Sequence, residues 1–289
     1  MANTHICDAS LKELVQRTYI PTHSVIQRPI EEKLLMRLTG FKDKIALVTG
    51  AAGGIGQAVV RLLAQAGCTV IATDKAAPSK NVCPEAAFVE ALDVRNPCAV
   101  NALVARAERE CGPIDIGVNV AGVLHTATVT ATSDDDWRRT FAVNCDGVFH
   151  VSRALAARMA DRRRGVLVTV SSNAAGVPRH AMAAYAASKA AAAMFTRCLG
   201  LELAPLGIRC NNVAPGSTLT AMQTAMWADA NGASQIIAGL PEQYKTGIPL
   251  QKLASPEDIA HAVMFLLSDQ AGHIVMSDIY VDGGASLHV

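Results

Sequence analysis

From Lys42 onward the chain alternates short β-branched runs with Ala-rich stretches of helical length. A change from a two-residue to a 3.6-residue apolar period marks the border between strand and helix. Strands are predicted at IALVT (45–49), TVIAT (69–73), AAFVEAL (86–92), IDIGVNV (114–120), GVLVTVS (165–171), IRCNNVA (208–214) and DIYVDG (278–283). Their runs are nearly continuous in apolar residues, as in strands buried on both faces of a parallel sheet. Helices are predicted near 55–66, 97–111, 134–162, 182–204 and 256–268. The last has a readable start: Ser255 suits the cap, Pro256 the first turn, and Glu257 and Asp258 the positive end of the helix dipole.

This order predicts one doubly wound α/β domain over 41–289 with a seven-stranded parallel sheet. Residues 216–250 separate the sixth strand from the final helix, a length that fits a lid carrying small helices. Residues 1–40 do not join the alternation, and the two prolines of PTHSVIQRP oppose regular structure there. They read as an N-terminal arm, either a plain surface extension or a segment that docks on a neighbouring subunit.

Composition narrows the function classes. The 289 residues are 51% hydrophobic and 18% charged, enough for a full core. With 26 Lys plus Arg against 25 Asp plus Glu, the net charge of +1 gives no basic field for nucleic acid. No apolar stretch approaches the ~20 residues of a membrane span, so no membrane partner is expected. The eight cysteines are scattered singly, which supports neither a zinc site nor a disulfide framework and suits a reducing cytoplasm. The opening MANTHICDASLKEL lacks the basic start and apolar run of an export leader, so a cytoplasmic location is expected. His125, His150, His180, His261 and His273 have no partner at i, i+4, and no metal is expected; His180 alone neighbours the site described next. Arg162, Arg163 and Arg164 follow a long predicted helix, where they would complement its dipole or stay solvated.

Candidate chemistry begins at TGAAGGIG (49–56), which leaves a strand and enters a helix. Gly50, Gly54 and Gly56 would let the backbone turn tightly and approach a pyrophosphate lying over free amides at the helix start. Asp74 closes the next strand, where a carboxylate can accept from a ribose diol and would repel a 2′-phosphate. With Gly53 rather than a basic residue before Gly54, NAD is favoured over NADP, although Lys75 could pair with a phosphate if Asp74 turned away.

Ser172, Tyr185 and Lys189 stand at Ser-x12-Tyr-x3-Lys, and the last two share one helix face. A phenol of ordinary pKa near ~10 is a poor base at neutral pH, but a neighbouring ammonium favours the phenolate and brings an alcohol proton within reach. Ser172 can hydrogen-bond the same substrate oxygen. Alone, YAASK is also a commonplace core Tyr with a solvated Lys; the nucleotide loop and the serine favour the chemical reading.

With these motifs in this order, residues 41–289 resemble the short-chain dehydrogenase/reductase family, which implies a Rossmann-like fold and a homotetramer. TGAAGGIG, with Ile55 between its last glycines, resembles the family's cofactor loop, and LDV (92–94), with Asp93 and Val94, its adenine-contacting turn. NVAG (119–122) resembles its NNAG motif, with Asn119, Ala121 and Gly122 in place and Val120 replacing the second Asn. PGSTLT (215–220) is similar to the turn that seats the nicotinamide, which implies cofactor roles for Pro215, Gly216, Thr218 and Thr220. Asn144 of FAVNCDGVF matches the asparagine of the proton relay. The resemblance thus implies Tyr185 as base, Lys189 lowering its pKa and holding the nicotinamide ribose, Ser172 steadying the alcohol oxygen, and Asn144 organising proton exit.

Within the family the likeness is closer to dehydrogenases that convert 2,3-dihydro-2,3-dihydroxybenzoate to 2,3-dihydroxybenzoate for catechol siderophores. DDDWRRTFAVN (134–144), VPRHAMAAYAASKAA (177–191), APGSTLTAMQTAMW (214–227), EQYKTGIPLQKLASPEDIA (242–260) and DIYVDGG (278–284) carry it. A cyclohexadiene diol carboxylate needs a cation, for which Arg179 is best placed; its alternative is a solvated loop arginine. Ser217 suits either a bond to substrate or a turn, and Met222, Met226 and Trp227 either an apolar pocket wall or lid packing. Another cyclic-alcohol or 3-oxoacyl dehydrogenase would not require Arg179. A regulator that only senses NAD would need the glycine loop but not the relay.

Overall fold

Every residue of the first strand, Ile45–Thr49 (β1), is buried, because helices cover the sheet on both sides. Ala46 and Val48 pack toward Gly54–Gln65 (α1) and Pro256–Leu267 (α8), with Val59, Leu63, Ile259 and Val263 filling that layer. Ile45 and Leu47 point the other way, onto Pro97–Glu110 (α2) and Gly147–Arg162 (α4), among Val100, Leu103, Leu155 and Met159. The computed structural model describes residues 38–79 and 81–287. The predicted arm therefore lies outside the described residues except for 38–40, where the Thr39 hydroxyl donates to Asp269 at 3.0 Å.

The remaining strands are Thr69–Asp74 (β2), Phe88–Ala91 (β3), Ile114–Asn119 (β4), Gly165–Val170 (β5), Ile208–Pro215 (β6), the short pair Gly239–Leu240 (β7) and Lys245–Thr246 (β8), and Asp278–Val281 (β9). The main sheet is seven-stranded and parallel throughout, in the order β3-β2-β1-β4-β5-β6-β9. The chain reverses its direction of winding between β1 and β4, and in open α/β sheets ligands settle in the crevice at that point.

Helix starts follow the local chemistry. Asn96 accepts from the amides of Cys98 and Ala99 ahead of α2, and Ser255 and Asp258 form a reciprocal capping box at α8. One helix departs from its prediction. Residues 134–162 form Asp134–Phe141 (α3), one widened π turn over Ala142–Asp146, and then α4. Such a turn inserts a residue without a compositional mark and is common at functional sites. The run Arg162–Arg164 is also neither free nor confined to its own helix end. Arg162 donates to the Ile114 carbonyl and pairs with Glu108, Arg163 donates to the Pro205 carbonyl, and Arg164 pairs with Asp115.

Ala183–Leu203 (α5) runs beside β6 and brings the Tyr-Lys pair to the end of the sheet. The insertion after β6 holds two short helices, Ala221–Thr224 (α6) and Gly232–Ala238 (α7), then the β7–β8 hairpin. Among the described residues no helix is long and apolar enough to cross a membrane.

Candidate active site

Two cavities meet over the carboxyl ends of β1, β4, β5 and β6, sharing Ile55, Val120, Gly122, Thr220 and Met222. The first is the predicted nucleotide cleft, walled by Gly50, Gly54, Gly56, Asp74, Asp93, Val94 and Ala121. Gly50 turns at φ +67°, and a Cβ there would stand 2.5 Å from the Ala121 nitrogen. A Cβ on Gly56 would stand 2.1 Å from the Gly50 carbonyl oxygen, so both positions require glycine. α1 starts at Gly54 with neither a side-chain cap nor an acidic residue in its first turn. Its free amides thus face a glycine-lined hollow, which suits a pyrophosphate. The Asp74 carboxylate accepts from the Ala52 amide at 3.0 Å and from the Lys75 amide at 2.7 Å, fixing an acceptor in the wall where a ribose would lie. Asp93 is engaged by Arg95 at 2.5 Å, which holds its carboxyl below the usual range. These residues fit a dinucleotide.

Asn119 is placed differently from its predicted cofactor role. It is buried, lines neither cavity, and donates to Ser152 at 2.9 Å and Thr169 at 3.3 Å. It ties β4 to α4 and β5, and so positions the 120–123 loop without facing the cleft. Thr49 assists by accepting from the Val120 and Ala121 amides at 3.2 and 3.3 Å.

The second cavity gathers Ser172, Tyr185 and Lys189 with Pro215, Gly216, Ser217 and Thr218. Lys189 is buried, donates to the Val170 carbonyl at 2.9 Å, and lies 5.9 Å from the centre of the Tyr185 ring. Burial pushes its ammonium down to about 8. Burial likewise pushes the Tyr185 phenol up, countered by a hydrogen bond with Ser172. In the protein by itself, desolvation is the larger influence on the Tyr185 phenol and the Ser172 hydrogen bond opposes it.

Asn144 sits behind this cavity in the π turn, fully buried. It accepts from the Val123 amide at 2.8 Å and donates to the Val123 carbonyl at 2.9 Å and to Ser188 at 3.0 Å. A Cβ on Gly122 would stand 3.3 Å from Lys189 Nζ and 3.4 Å from Asn144 Oδ1. The bare glycine therefore leaves a polar gap between the lysine and the asparagine.

Arg179 lines the same cavity, half-buried, on a segment pinned where the Ala127 amide donates to the Ala181 carbonyl at 2.9 Å. Met222 and Met226 line it too, whereas Trp227 packs on Gly232 and with the Ile236–Ile248–Ala285 cluster. His180 lines neither cavity. Five polar residues here escaped the sequence reading: Ser171, Asn173, Gln223, Lys245 and Thr246. The signal for Asn173 was its place just after Ser172; Gln223 and Lys245 stand in the irregular insertion, where no periodicity points inward. Among the described residues no three His, Cys, Asp or Glu side chains cluster as a metal site.

Comparison with known proteins agrees with this geometry. Residues 50–286 match the family described as Enoyl-(Acyl carrier protein) reductase. The chain is 56% identical over 262 residues to a 2,3-dihydro-2,3-dihydroxybenzoate dehydrogenase of Bacillus subtilis, covering 88% of this chain and 100% of that protein. It is 43% identical to the vibriobactin-specific 2,3-dihydro-2,3-dihydroxybenzoate dehydrogenase of Vibrio cholerae, covering 83% of this chain and 95% of that one. Among solved structures, the aldohexose dehydrogenase of Thermoplasma acidophilum superposes with a TM-score of 0.78 at 30% identity, covering 88% of this chain and 98% of that one.

Proposed function

The chain belongs to the short-chain dehydrogenase/reductase family, whose Rossmann-like fold takes a nicotinamide cofactor, and from that membership we propose that it oxidises 2,3-dihydro-2,3-dihydroxybenzoate with NAD to 2,3-dihydroxybenzoate. The observation that carries the reading is a basic side chain, Arg179, in the wall of the cavity that holds Ser172 and Tyr185. A carboxylate bound at Arg179 orients the ring so that one hydroxyl reaches the phenol.

When bound, the oxidised nicotinamide supplies the hydride acceptor and a positive charge beside the phenol. Tyr185, as phenolate, takes the hydroxyl proton while the carbinol carbon gives up its hydride. Ser172 donates to the substrate oxygen and holds it in line. Lys189 would hold the nicotinamide ribose, and the polar gap beside Gly122 and Asn144 would lead the proton taken up by Tyr185 on toward solvent. The ketone then enolises to the catechol by moving a ring proton, with no further redox change. The fixed acceptor at Asp74 favours an unphosphorylated ribose, hence NAD over NADP.

NADH formation with the diol acid tests the reading, with the decarboxylated diol and NADP as parallel arms. Turnover that needs both the carboxylate and NAD is expected. Equal rates with the neutral diol would remove Arg179 from substrate recognition, and no NADH despite NAD binding would overturn the substrate.

A further inference from the structure

The substrate cavity carries more positive charge than one arginine explains. Lys245 of β8 lines it together with Arg179, Tyr185 and Lys189, and no aspartate or glutamate does. Among the described residues neither Arg179 nor Lys245 has an ion-pair partner within 4.0 Å. Burial and the Arg179 charge together push the Lys245 ammonium down, and burial does the same to Arg179. The carboxylate felt by Arg179 is Asp282, which already accepts from Asn173 at 3.2 Å and the Gly284 amide at 3.0 Å. Two half-buried cations therefore face one cavity whose wall carries no carboxylate, an arrangement that is unfavourable until an anion comes between them.

The strap that carries Lys245 is closely held. A Cβ on Gly239 would stand 2.7 Å from the Gly247 nitrogen, and one on Gly247 2.3 Å from the Ile237 carbonyl oxygen, so this hairpin closes only with glycine at both places. The Thr246 hydroxyl donates to the Ala285 carbonyl at 3.0 Å, and Ile248 is buried against Ile236 and Ala285. With its neighbours on both sides so fixed, Lys245 is held facing the cavity while Tyr244 beside it is 97% exposed.

Building on the substrate reading above, we propose that Lys245 is a second specificity-determining cation, which grips the substrate carboxylate opposite Arg179 and ties the insertion to a charged ligand. A single carboxylate then bridges the segment before α5 and the β7–β8 strap, so the acid, and not the neutral diol, draws the two sides of the cavity together. Charge-assisted hydrogen bonds of this kind discriminate substrates by what they leave unpaired.

The test compares Lys245→Met, Lys245→Arg and the unaltered protein in their ratio of kcat/KM for the diol acid to that for the decarboxylated diol. The ratio is expected to fall roughly 10- to 100-fold in K245M, through KM for the acid, and to recover in part in K245R. An unchanged ratio, including an equal loss on both substrates, would overturn the proposal and leave Lys245 as a structural element of the strap. A second arm measures binding of 2,3-dihydroxybenzoate against catechol in the presence of NADH. It stands even if the unaltered protein fails to oxidise the diol acid, which would sink the substrate reading alone. Loss of the preference for the carboxylate in K245M supports the proposal, and an unaltered preference overturns it. Should K245M fold poorly, Lys245→Gln takes its place in both arms.

Discussion

Lys189 is asked to be a cation in a place that resists one. Its ammonium is buried against the Val170 carbonyl, and desolvation brings its pKa from 10.5 to about 8. Between those values the unfolded chain keeps the proton that the folded chain has released, so stability rises with pH across that window. Relative to Lys189→Met, the unaltered protein should gain on the order of 2 kcal/mol between pH 8 and pH 10. Urea unfolding of both at the two pH values measures it, and a constant difference would place the lysine in water. Tyr185 differs: its role is chemical, and Tyr185→Phe should keep the fold and NAD affinity while turnover drops by about 10³-fold or more. Stopped-assay rates beside a thermal melt would separate the two effects; near-native turnover would mean another base. Some residues at this scale were visible in the sequence because spacing alone puts Tyr185 and Lys189 on one face. Lys245 was not, since nothing in a loop sequence tells which side chain turns inward, and Asn119 was misdirected because a motif reports presence and not orientation.

The starts of α1 and α8 show how elements divide between stability and function. α8 is closed by Ser255, Asp258 and Pro256, a complete capping box. α1 starts behind Gly53, which has φ −74° and contributes no side-chain bond, leaving the amides open toward the cleft. A Cβ on Gly53 would meet only the Gly50 carbonyl oxygen at 3.4 Å, an ordinary contact. Gly53→Asp should therefore cap α1 and stabilise the cofactor-free protein by up to about 1 kcal/mol. Its carboxylate would occupy the anion's place, so NAD affinity should fall at least roughly tenfold by like-charge repulsion. Calorimetric titration with NAD and a thermal melt decide it; unchanged affinity would move the pyrophosphate away from this helix end. Both helix starts were legible from Gly, Ser and Pro placement. The π turn at 142–146 was not, because a one-residue insertion leaves the apolar stripe of the flanking helices almost intact, yet it is what seats Asn144 behind the site.

The whole molecule works because one sheet end collects parts that are far apart in sequence. The glycine loop follows β1, the Asn144 turn precedes α4, Ser172 follows β5, the Tyr-Lys pair rides α5, and the strap reaches in after β6. The order β3-β2-β1-β4-β5-β6-β9 brings these ends together. The strands themselves were readable because buried parallel strands announce themselves as uninterrupted apolar runs, whereas a run does not say which strand lies beside it. Every residue assigned a role here lies in the unit that starts at Leu38. A chain lacking residues 1–37 should therefore fold cooperatively, bind NAD and turn over the diol acid within about twofold of the full-length protein. Steady-state rates of the two, with light-scattering masses at the same concentration, make the comparison. Equal rates and equal masses would leave the segment no part in catalysis or assembly. Lower mass with lower activity would instead show that the segment joins subunits and that the catalytic cavity depends on the assembly.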